Sequence, residues 1–250
     1  MTPELPGATE PAPQQMSAVS RIFGVFFEPG KTFEDIAARP TFVAPMILVI
    51  VVSLVVVMLA GQHVGWERMV RAQMELSSRV QQMPSDQKEQ AIQFYSRMAP
   101  VFAYCGVIFG TPLTFLIVAG VALGMVKGIM SAPVTFKQAF AAVSWGWLPH
   151  AIGGILTIVV MFLKSPEDFH LQNPLVFNPG AFMEPSTANK FLLSLASSLD
   201  LFVLWAIVLI AFGLKAAGGK KLSMGGALTA VLLPWAVYVL GKSALAGLGG

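Results

Sequence analysis

The chain is built around the run PTFVAPMILVIVVSLVVVMLAGQHVGW, Pro40 to Trp66, which holds no charged residue. About 20 apolar residues in a helix cross the hydrocarbon core of a bilayer, and a charge at that depth costs about 3 kcal/mol. The run is longer than one crossing needs, and it is closed by Glu67. It therefore predicts a transmembrane helix.

Four further runs of the same kind lie on the C-terminal side of the first. Met98–Val126, Gln138–Leu163 and Leu222–Gly241 hold no charge, and Phe191–Leu214 holds only Asp200. The chain is therefore predicted to be an all-α integral membrane protein. We expect its five transmembrane helices over about residues 43–62, 101–126, 139–163, 192–214 and 225–243.

Composition excludes a water-soluble protein. Hydrophobic residues make up 55% of the 250 residues and charged residues only 12%, whereas a soluble domain carries about 25% charged residues. The net charge of +3 is too small and too scattered for a nucleic-acid partner. The single cysteine, Cys105, excludes an intrachain disulfide and a multi-cysteine metal site.

Three kinds of segment are expected outside the spans. Residues 1–19 are expected to form a disordered tail that precedes the membrane domain, and this single domain is expected to cover residues 20–245. Ser20–Phe27 is an amphipathic pre-membrane segment suited to the bilayer surface, since Ile22, Phe23, Phe26 and Phe27 share one side. Thr32 and Asp35 have the spacing of a helix cap. Apolar residues at helical spacing predict a helical extramembrane loop between the first two spans.

Five spans place the two termini on opposite sides of the membrane, and the count of Lys and Arg is eight on each side. The rule that positive charge stays in the cytoplasm is strongest for short loops. Met125–Ala139 and Lys215–Gly226 are short and carry only positive charge. We therefore expect a cytoplasmic N-terminus and an external C-terminus.

The second and third spans resemble the fourth and fifth as a pair of hairpins. Placing Pro149 over Pro234 aligns similar apolar residues, and each proline is expected to kink its helix. Pairs of glycines four residues apart favour close helix packing. These glycines are Gly106 with Gly110 and Gly120 with Gly124, beside the adjacent pair Gly153 and Gly154.

The sequence holds no catalytic constellation. Zinc-protease, nucleophile-elbow and phosphate-loop patterns are missing, so no enzyme activity, metal or cofactor is expected. His63 and His170 are expected at the interface and in a loop. His150 is the membrane-embedded histidine and a candidate functional residue.

Asp200 is the sharpest candidate site residue, because an ionisable group inside an apolar segment is a functional hypothesis by default. It also follows three serines near the start of the fourth span, where a carboxylate can cap free backbone N–H groups. Both interpretations stay open. Trp205 lies five residues on and is a further candidate.

This pattern resembles the Yip family, the Rab-GTPase-interacting membrane-domain proteins, and more closely its bacterial branch. The similarity lies in Glu28–Ile36 with Pro40 and Pro45, in the two proline-containing spans, and in Ser198–Trp205 with Gly213. The resemblance implies five spans, a cytoplasmic N-terminus, no known enzymatic activity, and roles in membrane organisation or trafficking through protein partners. Only some forty residues precede the first span, fewer than in eukaryotic members, and a bacterial member would have no Rab GTPase to bind.

The leading hypothesis is a non-catalytic protein of the bacterial cytoplasmic (inner) membrane. It would contact the lipid bilayer and organise an unknown membrane or cytoplasmic protein partner, as a homo-oligomer through its glycine-lined faces. The alternative is a small transporter or lipid-handling protein with a site near Asp200 and His150. A third hypothesis, an intramembrane enzyme, is not favoured, because Asp200 and His150 alone give neither a nucleophile nor a metal site.

Overall fold

The computed structural model describes residues 15–75, 77–165, 169, 174–185 and 187–248, with the side chains of Ser78 and Arg79 left out. Within these residues the chain is helical and contains no strand, which confirms the predicted all-α class. Most of the predicted tail, residues 1–14, lies outside the described residues. The first helix begins at Ala18, where the Ser17 side chain accepts a hydrogen bond from the Ser20 amide.

Twelve α-helices run through the described residues. They are α1 Ala18–Phe27, α2 Pro29–Ala38, α3 Val43–Ala60, α4 Trp66–Glu75, α5 Ser78–Gln81, α6 Ser85–Cys105, α7 Thr111–Gly124, α8 Phe136–Gly146, α9 Pro149–Leu163, α10 Lys190–Ser198, α11 Leu201–Gly218 and α12 Met224–Leu248. Three π-helical turns lie beside these helices. Gly61–Gly65 joins α3 to α4, Gly106–Gly110 joins α6 to α7, and Met125–Ile129 extends α7.

Within the described part of the chain, five helical stretches are long and apolar enough to cross a membrane, as the sequence predicts. They are Val43–Glu75, Ser85–Ile129, Phe136–Leu163, Leu201–Lys221 and Met224–Leu248. The fourth differs in its bounds from the predicted 192–214. The chain leaves the helix at Leu199 and Asp200, because the Asp200 side chain takes the first amides of α11 and so starts a new helix there.

The third and fourth spans form the centre of the bundle. Every residue of α8 from Ala139 to Gly146 is buried. A Cβ added to Gly146 would lie 2.8 Å from the Ile210 backbone nitrogen, and one added to Gly213 would lie 2.9 Å from the Ala142 Cα. These two positions therefore let the backbones of α8 and α11 approach closely, as small residues do in membrane helices.

The other elements pack around this pair. Phe202 of α11 lies against Gly153, and Val52 of α3 lies against Gly154. On the second span, a buried face towards the core is formed by Phe115, Ala119, Ala122 and Val126. Span five packs against both α10 and α11.

A buried ion pair holds the two N-terminal helices on the bundle. The Arg21 guanidinium is 2% exposed and lies 2.6 Å from the Asp35 carboxylate. It also donates to Thr41 Oγ1 at 2.7 Å, while Trp145 Nε1 donates to the Thr41 carbonyl at 2.7 Å. The cluster of Arg21, Asp35, Thr41 and Trp145, here called the N-terminal clasp, therefore joins α1, α2 and α8.

The predicted cap at Thr32 and Asp35 is wrong. Helix α2 already begins at Pro29, so Thr32 lies inside it and donates to the Glu28 carbonyl at 2.9 Å. The Asp35 carboxylate pairs with Arg21 instead of capping the helix.

The apolar residues of the amphipathic helix α1 do not all face the same surroundings. Val25 is buried and Phe26 contacts Trp205, whereas Val19, Phe23 and Phe27 are exposed.

Close packing at Gly213 gives the first prediction. Gly213→Ala adds a methyl group against the Ala142 backbone, so we expect stability to fall by about 1–3 kcal/mol, the usual cost of overpacking. Thermal unfolding in detergent measures the change. Gly241→Ala is the control, because nothing lies within 4 Å of its added Cβ. Equal stability of the two variants would contradict close packing at Gly213.

The N-terminal clasp gives the second prediction. Arg21→Met leaves the Asp35 carboxylate without its partner, so we expect a loss of about 3 kcal/mol, whereas Arg21→Met with Asp35→Leu should recover much of it. Thermal unfolding of both variants checks this. Lys31→Met removes an ion pair whose side chains are 80% and 62% exposed, and should change stability little. Simply additive losses in the double variant would refute the coupling.

Candidate functional site

Asp200 stands at the start of α11. Its Oδ1 accepts hydrogen bonds from the amides of Phe202 at 2.9 Å and Val203 at 3.3 Å. The Leu201 amide, which also lacks a partner inside the helix, donates to the Phe177 carbonyl at 3.1 Å. Three of the backbone donors that a helix start leaves free are thus satisfied. The carboxylate acts as an N-cap in this structure.

A polar seam runs beside Asp200 between α10 and α12. The Ser198 hydroxyl accepts from Lys242 Nζ at 2.8 Å and donates to the Ser194 carbonyl at 2.7 Å. The hydroxyls of Ser194 and Ser243 are 3.2 Å apart, and Ser243 is fully buried. The seam therefore fixes α10 against α12 through side-chain hydrogen bonds rather than apolar contacts alone.

His150 lies in the first turn of α9. Its ring stacks on Trp147, with centroids 4.7 Å apart and planes 14° apart. Its Nδ1 atom is buried and has no hydrogen-bond partner in the described part of the chain. The Trp147 backbone and, more weakly, Asp200 act electrostatically on the ring.

Trp205 serves a different contact. It is half-buried and meets the edge of Phe26, with ring centroids 5.3 Å apart. This contact joins α11 to α1. Trp205 is therefore tied to the N-terminal helices.

The two prolines occupy different positions in their helices. Pro149 is the first residue of α9, after the turn at Trp147 and Leu148 that separates α9 from α8. Pro234 lies inside α12, which continues as helix on both sides. Pro149 therefore follows a break between two helices, whereas Pro234 lies within an unbroken helix.

Among the described residues, the remaining candidates belong to no cluster that could hold a metal ion. His63 packs its ring against Phe162 at 5.0 Å, and its buried Nε2 has no partner among the described residues. His170 lies outside the described residues. Across the described ranges, no three His, Cys, Asp or Glu side chains are grouped to hold a metal ion.

Sequence reasoning missed the N-terminal clasp and the contact between Lys242 and Ser198. The clasp joins Arg21 to Asp35 and Thr41, 14 and 20 residues away. One local signal was present, since Arg21 interrupts the otherwise apolar helix Ala18–Phe27. A lone cation in such a helix can indicate a buried partner.

Comparison with known protein families gives a result for nearly the whole chain. The family model described as the Yip1 domain matches residues 23–245. None of the curated proteins is significantly similar to the chain, and the same is true of the solved structures. The match begins within α1, includes the first four apolar helices completely and ends at residue 245 within the fifth. The chain belongs to the Yip1 domain family.

Proposed function

We propose that this protein is a non-catalytic organiser of membrane components that works by binding other membrane proteins. One observation carries the proposal: the glycines of the second span face away from the protein's own bundle. Membership of the Yip1 domain family supports a non-catalytic role, since the Yip family is not known for enzymatic activity.

The outward glycine face consists of Gly106, Gly110, Gly120 and Gly124. A Cβ added to any of them would meet no atom within 4 Å. The buried residues of the same span, Phe115, Ala119, Ala122 and Val126, pack against the bundle instead.

Glycines that are used inside this bundle look different. Gly146, Gly153, Gly154 and Gly213 each have a neighbouring helix within 3.1 Å of an added Cβ. Since small residues let membrane helices approach closely, the outward glycine face is suited to receive one more helix. The first occupant we propose is a second copy of this chain. Another membrane protein would serve the organising role equally.

The proposed location is a bacterial cytoplasmic membrane with the N-terminus inside. The short loops that join the second span to the third and the fourth to the fifth carry lysines and no acidic residue. Such loops are typical of the cytoplasmic side. The C-terminus would then lie outside. This orientation puts the N-terminal clasp at the cytoplasmic end of the bundle.

A second candidate, a small transporter or lipid-handling protein, is favoured by the neighbourhood of Asp200 and His150. The unpaired buried Nδ1 of His150 is a polar atom that a bound group could satisfy. Against it, Asp200 already uses Oδ1 to cap α11. The two roles can be separated, because asparagine caps a helix as well as aspartate but carries no charge.

Asp200 variants test the carrier. If the charge couples transport, vesicles with Asp200→Asn should lose a substrate gradient at unchanged stability. If Asp200 only caps α11, Asp200→Asn should behave as wild type, and Asp200→Ala should lose about 1 kcal/mol of stability. Gradient measurements and thermal unfolding on the same preparations decide between them.

Cys105 tests the proposed oligomer. It is the only cysteine of the chain, it is exposed, and it precedes Gly106 on the second span. If two copies meet at the outward glycine face, mild oxidation in membranes should link Cys105 to Cys105 and give a species of twice the 26.7 kDa chain mass. Gly106→Leu or Gly120→Leu should reduce the cross-linked fraction, because bulk prevents close approach.

Gly241→Leu is the matched control for this experiment. Gly241 is also exposed, and nothing lies within 4 Å of its added Cβ, but it belongs to α12. The control should cross-link like wild type. A cross-linked fraction that is equally low, or equally high, in all variants would contradict an interface between copies on this face.

A further inference from the structure

We propose that the cavity where the first span leaves the membrane binds the headgroup of a phospholipid bearing a primary ammonium. The cavity is open to the surface, measures about 380 Å³ and is lined by Val64, Gly65, Glu67, Arg68 and Arg71, of which Glu67 and Arg68 are exposed. Its volume falls in the range of small-molecule sites. The inference does not rest on the proposed partner function, because no residue that lines the cavity belongs to the outward glycine face.

The position of the cavity matches the headgroup layer. The apolar part of the first span, residues 43–62, has the length needed to cross the hydrocarbon core. Gly65 and Arg68 follow by three and six residues, which is about 5 and 9 Å along a helix. Trp66 also meets Tyr104, with ring centroids 6.3 Å apart. Tryptophan and tyrosine are typical of the membrane interface.

The backbone at Gly65 leaves room for a ligand. Gly65 ends a π-helical turn with φ of +90°, a conformation that favours glycine. No atom lies within 4 Å of a Cβ added there. Because π-helical turns often occur at functional sites, the turn and the cavity together indicate a built recess rather than a packing defect.

The charges of the cavity fit a zwitterion. The Arg71 guanidinium is held by both Glu89 oxygens at 3.2 Å and by Glu67 at 2.9 Å. Arg68 forms no ion pair within the described residues. Arginine suits phosphate oxygens, so Arg68 would bind the phosphodiester, with Arg71 fixed beside it. Glu67 uses Oε1 for Arg71, so its Oε2 would accept the hydrogen bond from the ammonium group.

Lipid binding to the full-length protein in detergent tests the site. The delipidated protein is titrated with phosphatidylethanolamine and, separately, with phosphatidylcholine, and bound lipid is counted by native mass spectrometry. We expect tighter binding of phosphatidylethanolamine, because a quaternary ammonium cannot donate a hydrogen bond to Glu67. Arg68→Gln should weaken this binding about tenfold, as expected for a lost charge-assisted hydrogen bond.

Arg97→Gln is the matched control, since Arg97 is an exposed arginine of the same extramembrane hairpin that does not line the cavity. It should bind phosphatidylethanolamine like wild type. Glu67→Gln should remove the preference over phosphatidylcholine while phosphate binding remains. Circular dichroism of each variant shows whether it is folded.

Three results would overturn the proposal. Equal losses in Arg68→Gln and Arg97→Gln would indicate general attraction to charge, and no loss in Arg68→Gln would exclude the cavity. Glycerophosphoethanolamine without acyl chains binding as tightly as the whole lipid would show a site for a soluble headgroup. We expect Arg68→Gln to leave the cross-linking of Cys105 unchanged, because Arg68 is not part of the outward glycine face, so failure here leaves the proposed partner function standing.

Discussion

The close approach of the third and fourth spans is the contact on which the rest of the bundle depends. Lipid tails are as apolar as leucine, so burial of apolar surface does not drive helices together inside a bilayer. Association comes from close packing, interhelical hydrogen bonds and lipid entropy. Gly146 and Gly213 permit the close packing, because they place no side chain where α8 and α11 meet. Phe33 of α2 also lies within 3.0 Å of a Cβ added to Gly213, so the N-terminal helices use the same close contact.

Polar contacts between side chains also hold the helices together, in addition to the close packing at small residues. The N-terminal clasp fixes α1 and α2 to α8, and the seam of Ser194, Ser198, Lys242 and Ser243 fixes α10 to α12. Asp200 belongs to this second group, because its carboxylate closes the start of α11. The polar groups of these two clusters thus hold helices together.

The number of spans could be predicted from sequence because bilayer thickness sets the length of every crossing helix. Contacts between distant residues could not. Thr32 and Asp35 have the spacing of a local cap, yet Asp35 pairs with Arg21 because the hairpin of α1 and α2 brings the two together. Glycine spacing likewise could not separate Gly120, which faces outward, from Gly153, which packs on Phe202. The side of a helix that meets its own bundle is decided by tertiary arrangement.

The most direct test of the central claim is photo-cross-linking in native membranes. A photoreactive amino acid at Ile117, exposed on the second span, is compared with one at Val237, exposed on the fifth. At position 117 we expect protein adducts, either to a second copy or to another membrane protein. At position 237 we expect lipid adducts. Lipid adducts alone at both positions would contradict the claim that the second span receives another protein.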